Sequence, residues 1–249
     1  MKRRDVLRLA TCGIGALYLF RCADPTGLEG AQVSGPDGEG AACERIPEET
    51  AGPFPGDGSI GPNVLEQAGV VRSDIRSSFA GLSGVAHGVP LTVRLQLVHV
   101  QNGCVPAPGL AVYIWHCDRA GLYSLYSRGV TDQNYLRGVQ ESGADGEVSF
   151  TTVFPGCYGG RWPHIHFEVF PSLAAAADER NKIATSQLAF PEAPCNEAYA
   201  TEGYERSARN LRGLSLARDG VFRDGVAQQL AATTGDPSSG FVATLAVAV

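Results

Sequence analysis

Short segments with alternating apolar and polar side chains, separated by glycine- and proline-rich turns, most restrict what this chain can fold into. Residues 91–97 (LTVRLQL) alternate with the two-residue period of a half-buried strand. The same signals predict strands at 111–117, 147–154, 164–170, 183–190 and 241–249. The 31 glycines and 15 prolines require frequent turns, which favours a β architecture over a helical bundle.

Helices are expected to be few. The best helical pattern spans residues 198–211, ahead of Gly213, and a weaker pattern spans 63–69. Short strands joined by turns are typical of a sandwich of two sheets. The predicted fold is therefore mainly β, an antiparallel β-sandwich with a few peripheral helices and long loops, and it is predicted to occupy residues 43–249.

Residues 1–22 are predicted to be an export signal. A basic head that includes Arg3 and Arg4 precedes a short apolar run over residues 10–20, which is the order found in secretory signals. The arginine pair resembles a twin-arginine signal, and an ordinary secretory signal with a chance arginine pair is the alternative. This pattern predicts a periplasmic or extracellular protein.

Residues 23–42 are Gly-rich and polar, and they predict a flexible linker. Cys22 is a candidate lipid anchor, but Arg21 in front of it is a poor match for such a site. Export permits disulfides, and five cysteines allow at most two bridges within one chain. The sequence leaves their pairing open; the five are Cys43, Cys104, Cys117, Cys157 and Cys195.

The net charge of −6 argues against a general nucleic-acid-binding protein, which would normally be basic. After the N-terminus there is no apolar stretch of about 18 residues or more, so no membrane span is predicted in the mature protein. The expected partners are small molecules, and whether the chain forms a homo-oligomer stays open.

The segment 154–166 (FPGCYGGRWPHIH) carries the clearest chemical signal. Residues two apart in a strand point to the same side, so His164 and His166 share one face and can bind one metal ion. Two such histidines by themselves are more often unrelated surface residues. The Gly-rich loop before them can fold Tyr158 over the strand end, and a second turn carries Tyr123. Two phenols and two imidazoles form a hard donor set that favours Fe(III) over zinc.

Together these segments resemble the intradiol ring-cleavage dioxygenases, the catechol and protocatechuate class with non-haem Fe(III). The resemblance runs in the family's order over roughly residues 43–190, and the combination of motifs is more specific than any one of them. The matching pieces are ETAGPF (49–54), RSDIR (72–76), WH (115–116), GLYS (121–124), LRG (136–138), FTTVFPG (150–156), Tyr158, Arg161 and HIHF (164–167).

The resemblance implies an Fe(III) site with four protein ligands. Tyr123 matches the tyrosinate that stays on iron, and Tyr158 matches the tyrosinate that the substrate displaces. His164 and His166 match the two histidine ligands.

The resemblance also implies residues that act on the substrate. Tyr158 would be catalytic as well as a metal ligand, because it leaves the iron when substrate binds. Arg161 matches a cation that stabilises charge on the bound substrate, and Gln187 matches a glutamine beside the site. The separation of Gln187 from His166 is longer than expected. The loop 50–54 would help to wall the pocket.

The implied reaction is cleavage of a catechol-type ring by O2 between its two hydroxyl-bearing carbons, which gives a muconate-type dicarboxylic acid. One alternative is a non-catalytic β-sandwich binding module, in which one or more of the four ligands would be missing. Another is a cupin-like metalloenzyme, which would need a third histidine and a carboxylate such as Glu168. His116 is expected to be a hydrogen-bonded core residue instead of a ligand.

The sequence leaves the identity of the catechol open. A carboxylate on the substrate ring would need a cation in the pocket, and arginine suits this task because it binds carboxylates through two parallel hydrogen bonds. Four arginines are conceivable donors for it: Arg72, Arg76, Arg119 and Arg137.

Overall fold

The computed structural model describes residues 43–249, and within this range nine strands form two sheets. Two short helices, α1 (Glu192–Tyr199) and α2 (Glu205–Leu211), lie between the seventh and eighth strands. The predicted export signal (1–22) and linker (23–42) lie outside the described residues. The strands are β1 (Pro90–His99), β2 (Val105–Pro106), β3 (Ala111–Trp115), β4 (Arg137–Glu141), β5 (Glu147–Val153), β6 (His164–Phe170), β7 (Ala184–Ala189), β8 (Ala232–Asp236) and β9 (Gly240–Ala248).

The two sheets differ in how their strands pair. In the first sheet β1 is central, with β5 antiparallel to it, β9 parallel to it, β2 paired to its end, and β8 outside β9. The second sheet has the order β4-β3-β6-β7 and is antiparallel throughout. The prediction of a mainly β sandwich with few helices is confirmed, and the β1–β9 pair is a parallel exception within it.

The main core lies between the sheets, where alternate residues of β1 and β6 meet. Leu91, Val93 and Leu95 of β1 are buried in one cluster with Ile165 and Phe167 of β6. The opposite face of β6 is buried as well, since every residue of this strand is buried. The long loops before β1 and between β3 and β4 therefore cover the outer face of the second sheet, and a polar site can be enclosed there.

The helical predictions were wrong in detail. The predicted helix 198–211 is two helices separated by residues 200–204. Gly203 in this break has φ +91°, and the buried Tyr204 donates a hydrogen bond to the carbonyl of Phe154. Burying this tyrosine competes with a continuous helix. Among residues 43–249, no helix is both long and apolar enough to cross a bilayer.

The predicted helix 63–69 consists of turns. The side chain of Asn63 accepts a hydrogen bond from the Leu65 amide, which is a turn geometry that competes with helix formation. The Val64 amide donates to the Gly56 carbonyl, and Gly69 has φ +93°. These contacts fix the segment as an irregular cover over the second sheet.

One disulfide, Cys43–Cys104, ties the start of the described chain to the loop between β1 and β2. The other cysteines of this part of the chain, Cys117, Cys157 and Cys195, are free thiols and are buried. Cys157, next to Tyr158, is therefore a packing residue in this structure and does not brace its loop through a disulfide.

We expect the double variant Cys43→Ser/Cys104→Ser to lower the free energy of unfolding by about 2–4 kcal/mol, because the bridge closes a long loop. Urea denaturation of the oxidised proteins measures this difference. A reductant should destabilise the parent protein and leave the double variant unchanged. Equal stability of the two proteins would contradict the prediction.

Candidate metal centre

His164 and His166 lie on the enclosed face of β6, and their Nε2 atoms are 3.1 Å apart. The His164 Nδ1 atom is hydrogen-bonded to the Trp162 carbonyl, which fixes the tautomer with the Nε2 lone pair free. The His166 ring stacks on Trp115 of β3, with ring centroids 4.9 Å apart and an angle of 6° between the planes. Trp115 is the strand partner of His166, so sheet register orients the second imidazole.

Tyr158 reaches this pair from the loop before β6, and its hydroxyl is 3.2 Å from the His164 Nε2 atom. Its loop packs tightly on the turn that follows β3. A Cβ atom on Gly156 would lie 2.6 Å from the Asp118 carbonyl oxygen, so a larger residue would push the two loops apart. Gly121, with φ +79°, has the Tyr158 side chain against it in the same crossing. The glycines that flank each tyrosine thus allow the loops to meet.

Tyr123 completes the group from the turn after β3. Its hydroxyl is 3.5 Å from that of Tyr158, and its amide donates to the Ser127 hydroxyl. Tyr123 is buried, whereas Tyr158 is partly exposed. The structure thus brings the four residues that the sequence predicts as metal ligands into contact with one another.

These residues are suited to a metal ion in both spacing and chemistry. Neighbouring donor atoms lie 3.1–3.5 Å apart, close to the roughly 3.0–3.4 Å expected between ligands of a metal bound at about 2.1 Å. Phenol oxygens with imidazole nitrogens suit a hard, trivalent ion such as Fe(III). Within residues 43–249, no three His, Cys, Asp or Glu side chains group to hold a metal, so the two phenols are needed for this set.

Burial sets the charge of all four side chains. It lowers the pKa of His164 to about 3 and that of His166 well below its ordinary value, so both imidazoles are neutral. It raises the pKa of Tyr158 to about 12 and that of Tyr123 well above its ordinary value. Binding of a cation by the two phenols therefore has to release their protons.

Arg161 lies beside this group and is held in place by two partners. Its Nε atom donates to both carboxylate oxygens of Asp219, at 3.0 and 3.2 Å. Its Nη2 atom donates to the Gln187 Oε1 atom at 2.6 Å. Gln187 on β7 is the strand partner of His166 on β6. The two residues are far apart in sequence because a long loop joins these strands.

Asp219 is a residue of the site that sequence reasoning missed. It is 2% exposed and also accepts hydrogen bonds from the amides of Trp162 and Val221. Burial acts to raise its pKa, but these hydrogen bonds and Arg161 hold the pKa below its ordinary value. Asp219 follows a short helical turn (Leu216–Arg218) and belongs to no motif, so only the folded chain shows its role.

The loop 50–54, which includes Phe54, and the ring of Phe222 surround the four candidate ligands. A Cβ atom on Gly52 would lie 3.4 Å from the His166 ring, and the Phe54 ring is 5.1 Å from that of Tyr123. Phe222 lies beside His164, with the Arg161 guanidinium 5.8 Å from its ring centroid. These residues supply the aromatic part of the surroundings of the donor atoms.

The cupin-like alternative needs further ligands, and the candidates for them point elsewhere. The buried His116 bonds to the Cys117 carbonyl at 2.8 Å and the Thr152 hydroxyl at 2.7 Å, which confirms it as a core residue. Glu168 is bound to Lys182 at 2.9 Å. Neither residue joins the two histidines.

Comparison with solved structures finds dioxygenases. An intradiol ring-cleavage dioxygenase from Tetranychus urticae is 28% identical, with a TM-score of 0.63 over 83% of this chain and 94% of that one. A second dioxygenase, 27% identical with a TM-score of 0.64, covers the same shares. The dioxygenase domain of a carbohydrate-binding fusion protein from Streptomyces sp. SirexAA-E is 22% identical, with a TM-score of 0.51 over 83% and 98%, and shares the fold.

No family model and no curated protein matches the chain. The structural comparison nevertheless confirms the resemblance to intradiol ring-cleavage dioxygenases that the sequence motifs predict.

Proposed function

We propose that this chain is a non-haem Fe(III) intradiol dioxygenase that cleaves a catechol-type ring between its hydroxyl-bearing carbons and incorporates both atoms of O2. The observation that carries the proposal is the contact of two phenols and two imidazoles, with donor atoms 3.1–3.5 Å apart, on one strand face and two adjoining loops. The likeness to an intradiol dioxygenase of 28% identity supports it.

Tyr123, Tyr158, His164 and His166 would hold the iron. When bound there, the iron would supply Lewis acidity toward the catechol oxygens. Tyr123 is buried and fixed by Ser127, so it would remain in place, whereas the partly exposed Tyr158 would be the ligand that yields to substrate. The Tyr158 oxygen, as a phenolate whose pKa burial raises to about 12, would then accept a proton from a substrate hydroxyl.

Arg161 would stabilise negative charge that develops on the ring. A cation held in advance by Asp219 and Gln187 needs no reorganisation when the charge appears. The aromatic side chains of Trp115, Phe54 and Phe222 would limit the access of water to the reacting atoms.

The visible spectrum of the purified, iron-loaded protein tests the proposal, recorded before and after addition of catechol without oxygen. Tyrosinate bound to Fe(III) gives a charge-transfer band, which should shift with catechol. Admission of O2 should then consume one O2 per catechol and form a muconate-type product. A colourless protein that holds zinc, or no metal, would refute it.

We expect Asp219→Asn to lower kcat by about 10- to 100-fold, because Arg161 loses the carboxylate that positions it. Iron content and the charge-transfer band of the substrate-free protein should be unchanged, which separates this effect from loss of the metal. Asp145→Asn removes the same charge from the exposed turn between β4 and β5 and serves as the control. A normal kcat for Asp219→Asn would show that Arg161 needs no such partner.

We also propose that the protein is exported, on the basis of the basic and apolar pattern of residues 1–22. Fractionation of cells that produce the full chain, with N-terminal sequencing, tests this. Recovery of an uncleaved chain from the cytosol alone would refute it.

A further inference from the structure

The charged groups around the candidate site indicate which catechols it accepts, and this inference rests on the proposed function. A carboxylate on the substrate ring needs a cation with free N–H donors. Arg137 is fully buried and donates to the carbonyls of Phe54, Pro55 and Ser124. Arg72 donates to the carbonyls of Arg137 and others nearby. Both arginines are thus committed to the protein backbone.

The other two predicted carboxylate donors are also directed elsewhere. Arg76 forms a two-point ion pair with Asp74. The Arg119 guanidinium packs against Gly203 in the break between α1 and α2. Arg119 also lines a surface cavity of about 400 Å³ together with His87. None of the four candidate arginines is therefore both at the candidate site and free to bind a ring carboxylate.

Arg161 is the cation next to the candidate ligands, and its charge is already balanced. Its Nε atom is occupied by Asp219 and its Nη2 atom donates to Gln187, whereas its Nη1 atom has no acceptor among the described residues. A substrate carboxylate at this guanidinium would compete with a buried carboxylate that the protein supplies itself.

Glu49 adds a second negative charge on the same side. Its carboxylate accepts a hydrogen bond from Gln229, and the same Gln229 amide donates to the Gln187 carbonyl. The next residue, Thr50, accepts a hydrogen bond from the Gln187 side chain. The side-chain amide of Gln229 thus links Glu49 to Gln187, which accepts a hydrogen bond from Arg161. Burial and the charges of Asp224 and Asp219 raise its pKa, and Arg161 opposes them.

We propose that the site selects catechols whose ring bears no anionic substituent, and that Glu49 is a residue that determines this specificity. Hydrogen, alkyl and other uncharged ring substituents would be accepted. A ring carboxylate on this side of the site would be repelled by Glu49 and Asp219, whose two negative charges the single positive charge of Arg161 does not outweigh.

Two nearly isosteric substrates, 3,4-dihydroxybenzamide and 3,4-dihydroxybenzoate, differ mainly in charge and test the proposal on the iron-loaded protein. We expect kcat/KM to favour the amide by about tenfold or more, and calorimetric binding without oxygen to show the same order. Glu49→Gln should reduce this preference by about threefold or more. Raising the salt concentration to about 0.5 M should also reduce it, since salt screens charges near the surface.

Glu141→Gln is the matched control, because Glu141 is exposed and pairs with Ala111 at the opposite end of β3 from Trp115. It should leave the preference unchanged. Equal or better binding of the benzoate, or a preference that neither Glu49→Gln nor salt alters, would overturn the proposal. If no catechol binds or is cleaved, the proposed function itself fails, which is a different result from cleavage with the opposite preference.

Discussion

Replacing Tyr123 with phenylalanine is expected to lower ring cleavage by about a hundredfold or more, since even residues that only support a metal ligand are worth about 10- to 100-fold. The variant removes one oxygen and keeps the ring that packs against Phe54. The remaining three donors would hold iron more weakly, and the charge-transfer band should shift or disappear. Iron content, visible absorption and O2 uptake measure these effects on one sample.

Tyr135→Phe is the matched control for this experiment. Tyr135 is as buried as a core residue, and its hydroxyl bonds to Asp118 at 3.3 Å without contacting the histidines. It should retain iron, colour and turnover. If Tyr123→Phe keeps the band and the activity of the parent protein, Tyr123 is not a metal ligand and the assignment of the centre fails.

Replacing Arg137 with methionine is expected to lower the free energy of unfolding by about 3 kcal/mol or more. The Arg137 side chain is 1% exposed and satisfies the carbonyls of Phe54, Pro55 and Ser124. Each buried acceptor left without a partner costs about 1–3 kcal/mol. Urea denaturation of the metal-free proteins measures the effect without contribution from iron binding.

The same variant should also weaken iron retention, because Arg137 ties the loop that carries Phe54 to the sheet. Arg94→Met, at an exposed position of β1, removes the same charge and should change stability little. Arg137→Lys should recover only part of the loss, since one ammonium group cannot reach all of the acceptors that the planar guanidinium serves. Stability equal to that of the parent protein in Arg137→Met would show that these carbonyls are satisfied by water instead.

The strands that carry the candidate site could be predicted because their buried residues form apolar or alternating patterns within a few neighbouring positions. The predicted strand 164–170 matches β6 at both ends, since its residues alternate between two enclosed faces. The exposed β8 was not predicted, because its residues (ATTGD) show no apolar period and are held by pairing with β9. Its pairing with β9 across the short turn at residues 237–239 forms this strand, although its own pattern does not predict it.

The same distinction applies to the residues around the centre. The four candidate ligands belong to local motifs whose glycines and strand spacing are visible in the sequence. Asp219 and Glu49 act through contacts with residues far along the chain, Arg161 and Gln229. Asp219 belongs to no motif, and the motif at residues 49–54 includes Glu49 without indicating its contact with Gln229, so both roles depend on the fold.

The parallel pair β1–β9 has a consequence for how the protein folds. β9 comprises residues 240–248 and lies between β1 and β8, so the first sheet cannot close until the end of the described chain is available. The Ile46 amide also donates to the Ala248 carbonyl, which joins segments about two hundred positions apart. Contacts of such large sequence separation slow folding. We therefore expect the first sheet to form slowly, because its central strand β1 pairs with a strand about 150 residues further along the chain.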